Sequence, residues 1–393
     1  MQANRYIPIA AFALALCGLF VGLLAFGTDL GGDANRYVGN GRQLWNGILG
    51  EAELGPLTVW QLFYLVPNLL ISAGDRWIGE AFYGVSIGLN LAAFSTMVAL
   101  LFALWTHYAK RPPGWRFVAL ALILMFALTT EVVRYNYAAY SSDILAMSWI
   151  GVCWYALGHA VLRRSMRCWL GAFAVAAVAL FVRPTGVAVM SLVIAAALYV
   201  GLHRRLRSPV VLAAALIVLP ALFAVTIWPY IITLNMEGVA WADRIVPNDV
   251  YNKYIGGVVV GIRPETYVVN PGSYGDFIEI TLRRFSYYFV PLRSGYSLLH
   301  LGVNIAYIVY LWFLLYSGWR SLRAAGPPAA RLAFLVVLGS YYFGVFHAMT
   351  FVEDWRYELP LWPGLWLLAG FGLLDRLGML DIEGIGSAAR SGS

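Results

Sequence analysis

The chain is predicted to fold as an all-α, polytopic integral membrane protein of about ten transmembrane helices, and three observations predict it. Of its 393 residues, 61% are apolar and only 12% charged, whereas a soluble domain carries about 25% charged residues. Apolar runs of about 20 residues, the length that crosses a hydrocarbon layer of about 30 Å, recur along the whole sequence. Lysines and arginines gather on alternate sides of those runs, as in membrane proteins of fixed orientation.

Taken in order, the apolar runs fall at 7–26, 77–106, 117–133, 142–162, 168–183, 186–202, 209–233, 296–317, 332–349 and 358–375. The first is read as a retained span, because no small-x-small cleavage site follows Phe26 and Leu16 precedes Cys17 where a lipoprotein signal has a small residue. The stretch 57–73 is also apolar, but Pro56, Gln61, Pro67 and Asn68 mark it as a helix lying at or dipping into the interface. It belongs to a first outer loop, 27–76, with juxtamembrane helices. A turn at 130–143 joins the third and fourth runs. The fifth and sixth form a hairpin at Arg183-Pro184-Thr185-Gly186. Its first arm rises only about 24 Å, so the apex is expected at or slightly beneath the outer interface. An arginine there is costly unless it snorkels or meets an anion. Pro184, Pro220 and Pro229 interrupt apolar runs, which membrane helices tolerate when neighbours satisfy the freed carbonyls. The large outer loop 234–295 ends in an amphipathic stretch at 277–289, expected on the outer surface. The longest inner loop turns at Gly326-Pro327-Pro328.

With the N-terminus inside, the inner segments hold 15 of the 27 lysines and arginines but only three of the 20 acids, Asp375, Asp381 and Glu383. The formal net charge of +7 therefore reflects membrane orientation, and no nucleic-acid partner is expected. No Gly-x-Gly-x-x-Gly and no Walker-type Gly-Lys pair occurs, so an activated substrate has to come from somewhere other than a cytosolic nucleotide site. Cys17, Cys153 and Cys168 fall within or at the inner ends of spans, with no metal-ligand spacing. High Ala, Gly and Arg content with short loops fits a bacterial inner membrane.

The polar groups at the outer span ends are the candidates for chemistry. They are Asp33, Arg36 and Tyr37 after the first run; Glu131, Arg134, Tyr135 and Asp143 before the fourth; and Arg183 in the hairpin. Lys253, Arg263 and Arg293 follow in the large loop, then His347, Glu353, Asp354, Arg356 and Tyr357 between the ninth and tenth runs. Acids with several bases suit a transfer in which one carboxylate takes a proton from an acceptor hydroxyl while cations hold a phosphate leaving group. Outside the cytoplasm that leaving group has to be lipid-linked. Asp33 and Asp143 also suit helix starts, and Arg356 with Tyr357 also suits an interfacial anchor beside Trp355 and Trp362.

Four motifs resemble those of GT-C membrane glycosyltransferases, the class that includes protein O-mannosyltransferases and lipid A aminoarabinose transferases. They are Asp33-x-x-x-Tyr37 after the first run, Ser142-Asp143 opening the fourth, Arg183-Pro184-Thr185-Gly186 closing the fifth, and 354–363 before the tenth. They run in the family's order over about nine-tenths of the chain, within one domain spanning 1–393. The resemblance implies Asp33 and Asp143 as catalytic acids, and as metal-associated positions if a divalent cation takes part. It places Arg183, Arg356 and Tyr357 near the lipid phosphate or groove, and Tyr37, Arg293 and Lys253 complete the expected substrate-binding set. It implies a polyprenyl-phosphate sugar donor, an acceptor that is a glycan, lipid or protein, an inverting transfer, and membrane lipid as surroundings. Many relatives carry Asp-Glu at the first position, whereas Ala34 follows Asp33 here, so no carboxylate pair exists. Two other readings are a polysaccharide polymerase or ligase using lipid-linked glycans, and a transporter or lipid flippase. The second predicts charges near mid-span, and the runs are nearly free of them.

Overall fold

The computed structural model describes residues 3–26, 33–53, 57, 59–79, 82–126, 142–163, 165–202, 209–226, 279, 282–286, 288–289, 297–350 and 355–382. Among them the architecture is all-helical, and the one bridge of β type pairs Ala109 with Leu380. The helices are α1 (Ala3–Phe26), α2 (Asp33–Ile48), α3 (Val59–Phe63), α4 (Leu65–Ile78), α5 (Phe82–His107), α6 (Trp115–Phe126) and α7 (Ser142–Arg163). There follow α8 (Met166–Ala179), α9 (Gly186–Leu202), α10 (Pro209–Thr226), α11 (Leu298–Ala324), α12 (Pro327–Thr350), a 3-10 turn (Trp355–Leu361) and α13 (Trp362–Arg376).

In its described residues each of the ten apolar runs overlaps at least one of these helices. Five stretches, Tyr6–Ala25, Ser86–His107, Ser142–Arg163, Leu301–Ala324 and Pro327–Ala348, are long and apolar enough to cross a membrane. Four shorter apolar helices are Trp115–Phe126, Met166–Ala179, Gly186–Leu202 and Val210–Leu222. Two boundaries differ from the sequence reading. The interfacial stretch is two helices with a break at Tyr64, and α4 continues through Trp77 and Ile78, which the apolar run had assigned to the next span. Gly79 at φ +68° stops α4 there, a conformation other residues seldom adopt. The tenth run opens as a 3-10 turn, because Pro360 lacks the N–H an α-helix would use.

The core lies where α5, α7, α11, α12 and α13 pack. Helices α11 and α13 approach closely at Gly318 and Gly372: a Cβ on Gly318 would lie 2.2 Å from the Leu368 carbonyl oxygen. Small residues permit such approach where lipid supplies no hydrophobic drive. Trp105, Trp366 and Tyr307 make hydrogen bonds across helices in the core. Trp105 Nε1 donates to the Leu367 carbonyl at 3.0 Å, and Tyr307 donates to the Leu124 carbonyl at 2.9 Å while accepting from Trp366 Nε1 at 3.2 Å. Outside the core, α2 and α4 form an amphipathic pair. Arg42 Nε and Nη2 grip Asp75 at 2.5 and 2.9 Å, and Trp45 Nε1 donates to the Leu69 carbonyl at 3.1 Å.

Candidate functional site

Four segments meet at the start of α7. The α8–α9 turn folds tightly: the Gly186 N–H donates to the Arg183 carbonyl at 2.8 Å, and a Cβ on Gly186 would lie 2.1 Å from the Ala179 carbonyl oxygen, so only glycine fits. The Val66 N–H at the start of α4 donates to the Phe181 carbonyl at 2.9 Å, which fastens the turn to the amphipathic pair. Ser142 and Asp143 occupy the first turn of α7. Tyr37 comes from α2, four residues and so one turn after Asp33 on the same helical face.

Their side chains form one buried polar cluster. Arg183 Nη1 makes an ion pair with Asp143 Oδ1, with side chains 7% and 3% exposed. The same Nη1 donates to Ser142 Oγ at 3.2 Å. Ser142 Oγ also shares a 2.9 Å hydrogen bond with the Tyr37 hydroxyl. Tyr37 is 1% exposed and its ring lies 5.8 Å from that of Tyr64. A buried guanidinium is tolerated only with its charge matched and its N–H groups bonded. Asp143 matches the charge and, with Ser142, bonds Nη1, which fixes that end of the guanidinium.

Of the expected site residues, the structure brings together Tyr37, Asp143 and Arg183. Asp33 begins α2, and Arg356 and Tyr357 lie on the 3-10 turn, which packs against α7. The side chains of these three residues, and Lys253 and Arg293 entirely, lie outside the described residues. The metal expectation fits the described donors poorly, since Asp143 already binds a guanidinium and a divalent cation there would face that positive charge. Among the described residues no group of three or more His, Cys, Asp or Glu is placed to hold an ion.

Ser142 is the hub that the sequence signalled only as a neighbour of Asp143. On the same segments two further buried side chains have no hydrogen-bond partner among the described residues, Asn68 through both amide atoms and Thr185 through its hydroxyl. Asn68 is wholly buried although its sequence context marked it as interfacial. A second polar group surrounds the 3-10 turn. Glu358 is buried there, and Tyr288 of the amphipathic stretch 277–289 packs on His347 with ring centroids 4.7 Å apart. Burial, and secondarily the Glu358 charge, pushes the Tyr288 phenol well above its usual pKa, so it stays a neutral O–H donor.

Comparison of the chain with protein-family models, with curated proteins and with solved structures finds no match.

Proposed function

We propose that the protein is a membrane glycosyltransferase that moves one sugar from a polyprenyl-phosphate donor to an acceptor hydroxyl at the outer face of a bacterial inner membrane. In this reading all ten apolar helices cross the membrane, the N-terminus is cytoplasmic, and the starts of α2 and α7 with the α8–α9 turn face outward. The observation that carries it is the buried Tyr37–Ser142–Asp143–Arg183 cluster, a fixed cation at one end of a largely apolar bundle.

Arg183, held by Asp143 and Ser142, receives the donor phosphate. The acceptor oxygen attacks the anomeric carbon from the opposite face, and the bond from that carbon to the phosphate oxygen breaks, its electron pair leaving on the phosphate. Asp33, one turn before Tyr37 on α2, takes the acceptor proton. Asp143 acts through Arg183 and is a positioning residue. Its pairing with Arg183 favours this role over that of the catalytic or metal-associated acid that the resemblance implies.

The test is incubation of the purified protein with labelled polyprenyl-phosphate sugars and an acceptor extract. Release of polyprenyl phosphate, lost in Arg183→Gln while the variant stays folded, supports the transfer. Saturable binding of the donor with no release of polyprenyl phosphate contradicts it and points to transport.

A further inference from the structure

A groove runs along α11, between it and α12, with α13 as its floor. Its volume is about 460 Å³, within the range of roughly 300–1,000 Å³ typical of small-molecule sites. Ile308, Leu311, Leu315 and Trp319 recur on one face of α11 and line it over about 16 Å. Trp312 and Val337 on its rim are 65% and 52% exposed, so it opens sideways where lipid surrounds the bundle.

One end of this apolar slot is polar. Tyr288, Glu358 and Trp362 line it there, and the Tyr288 hydroxyl and Trp362 Nε1 are buried donors with no hydrogen-bond partner among the described residues. A buried donor left unmade is costly, and two of them on residues that line one cavity call for acceptor oxygens on whatever occupies it. The carboxylate beside them accepts from a hydroxyl and repels an anion. Among the described residues no lysine or arginine lines the groove, whereas the site at Asp143 has its cation in Arg183.

We propose that this groove binds the hydrocarbon chain of an uncharged, hydroxyl-bearing membrane lipid, whose headgroup sits among Tyr288, Glu358 and Trp362 and serves as the sugar acceptor. The chain lies along α11, and the headgroup's oxygens accept from the phenol and the indole while its hydroxyl donates to Glu358. The 3-10 turn that carries Glu358 packs against α7, the helix that opens with Asp143, which places the headgroup on the flank of the transfer site. The binding stands independently of the transfer; the acceptor role rests on it.

The experiment measures binding of monooleoylglycerol and of oleyl phosphate to the purified full-length protein by native mass spectrometry, followed by sugar transfer from labelled polyprenyl-phosphate donors. One monooleoylglycerol should bind per chain, more tightly than oleyl phosphate. Leu315→Trp, which fills the groove, and Val337→Trp, which obstructs its exposed rim without touching the core, should each weaken binding at least about tenfold. Tyr288→Phe should weaken it about fivefold, and Arg183→Gln should leave it unchanged. Tighter binding of oleyl phosphate, or wild-type binding by both groove variants, overturns the site. Donor turnover with monooleoylglycerol bound but unglycosylated overturns the acceptor role alone. Lipid binding as expected with no donor turnover overturns the transfer reading, and the acceptor role with it, and leaves the groove assignment standing.

Discussion

Tyr37 and Ser142, 105 positions apart, share a 2.9 Å hydrogen bond inside the bundle. That bond joins the first amphipathic helix to the helix that bears Asp143, and Ser142 passes the connection on to Arg183. Tyr37→Phe should cost about 1 kcal/mol of stability and leave Arg183 in place. Ser142→Ala removes a partner from both neighbours and should lower sugar transfer more than Tyr37→Phe does. Thermal unfolding and turnover of the two variants side by side check the order.

The Asp143–Arg183 pair is buried on both sides. Breaking it from one side strands the other charge, at a cost of about 3–5 kcal/mol. Asp143→Asn and Arg183→Gln should each lower the melting temperature, whereas Asp143→Leu combined with Arg183→Leu should recover most of the loss. The double variant should remain without transfer activity, which separates the fold's need for charge balance from the reaction's need for a cation. Calorimetry and turnover on the three proteins decide it.

Helices α2 and α4 pack so closely at Gly41 that a Cβ would lie 2.0 Å from Ser72 Oγ and 2.1 Å from the Asn68 carbonyl oxygen. Gly41→Val should push α2 off α4 and carry the Asp33 end of the helix with it. Moving α2 also strains the Tyr37–Ser142 bond, so stability should fall at least as far as in Tyr37→Phe. A longer spin-label distance between α2 and α4, with turnover lost and a lower melting temperature than that of Tyr37→Phe, is the expected result.

In the core, the Tyr307 hydroxyl both donates to the Leu124 carbonyl and accepts from Trp366 Nε1. Tyr307→Phe leaves two buried groups without partners and should destabilise by about 2 kcal/mol or more. The readout is the shift in thermal unfolding, with donor binding unchanged in the folded protein.

The helices were legible because hydropathy is local: each apolar run marks a stretch whose backbone has to bond to itself in a membrane. The end of α4 was not, since Trp77 and Ile78 are apolar enough to pass for the next span, and the positive φ of Gly79 that ends the helix leaves no trace in the hydropathy. At the site, Asp143, Arg183 and Tyr37 were recognisable as polar groups at span ends. Their joining through Ser142 depends on contacts over 41 and 105 positions, which no local pattern carries. The groove was illegible for the same reason. Leu311 and Leu315 look like any lipid-facing or core leucines, and only the packing of α11, α12 and α13 turns them into a wall.

Sugar transfer with Asp33 as the base is tested most directly by turnover of a labelled polyprenyl-phosphate sugar by Asp33→Asn, which keeps the side-chain shape and removes the base. Loss of transfer by about 100-fold or more, in a protein that unfolds like the wild type and binds the donor as tightly, is the predicted result. Transfer at the unaltered rate would contradict it.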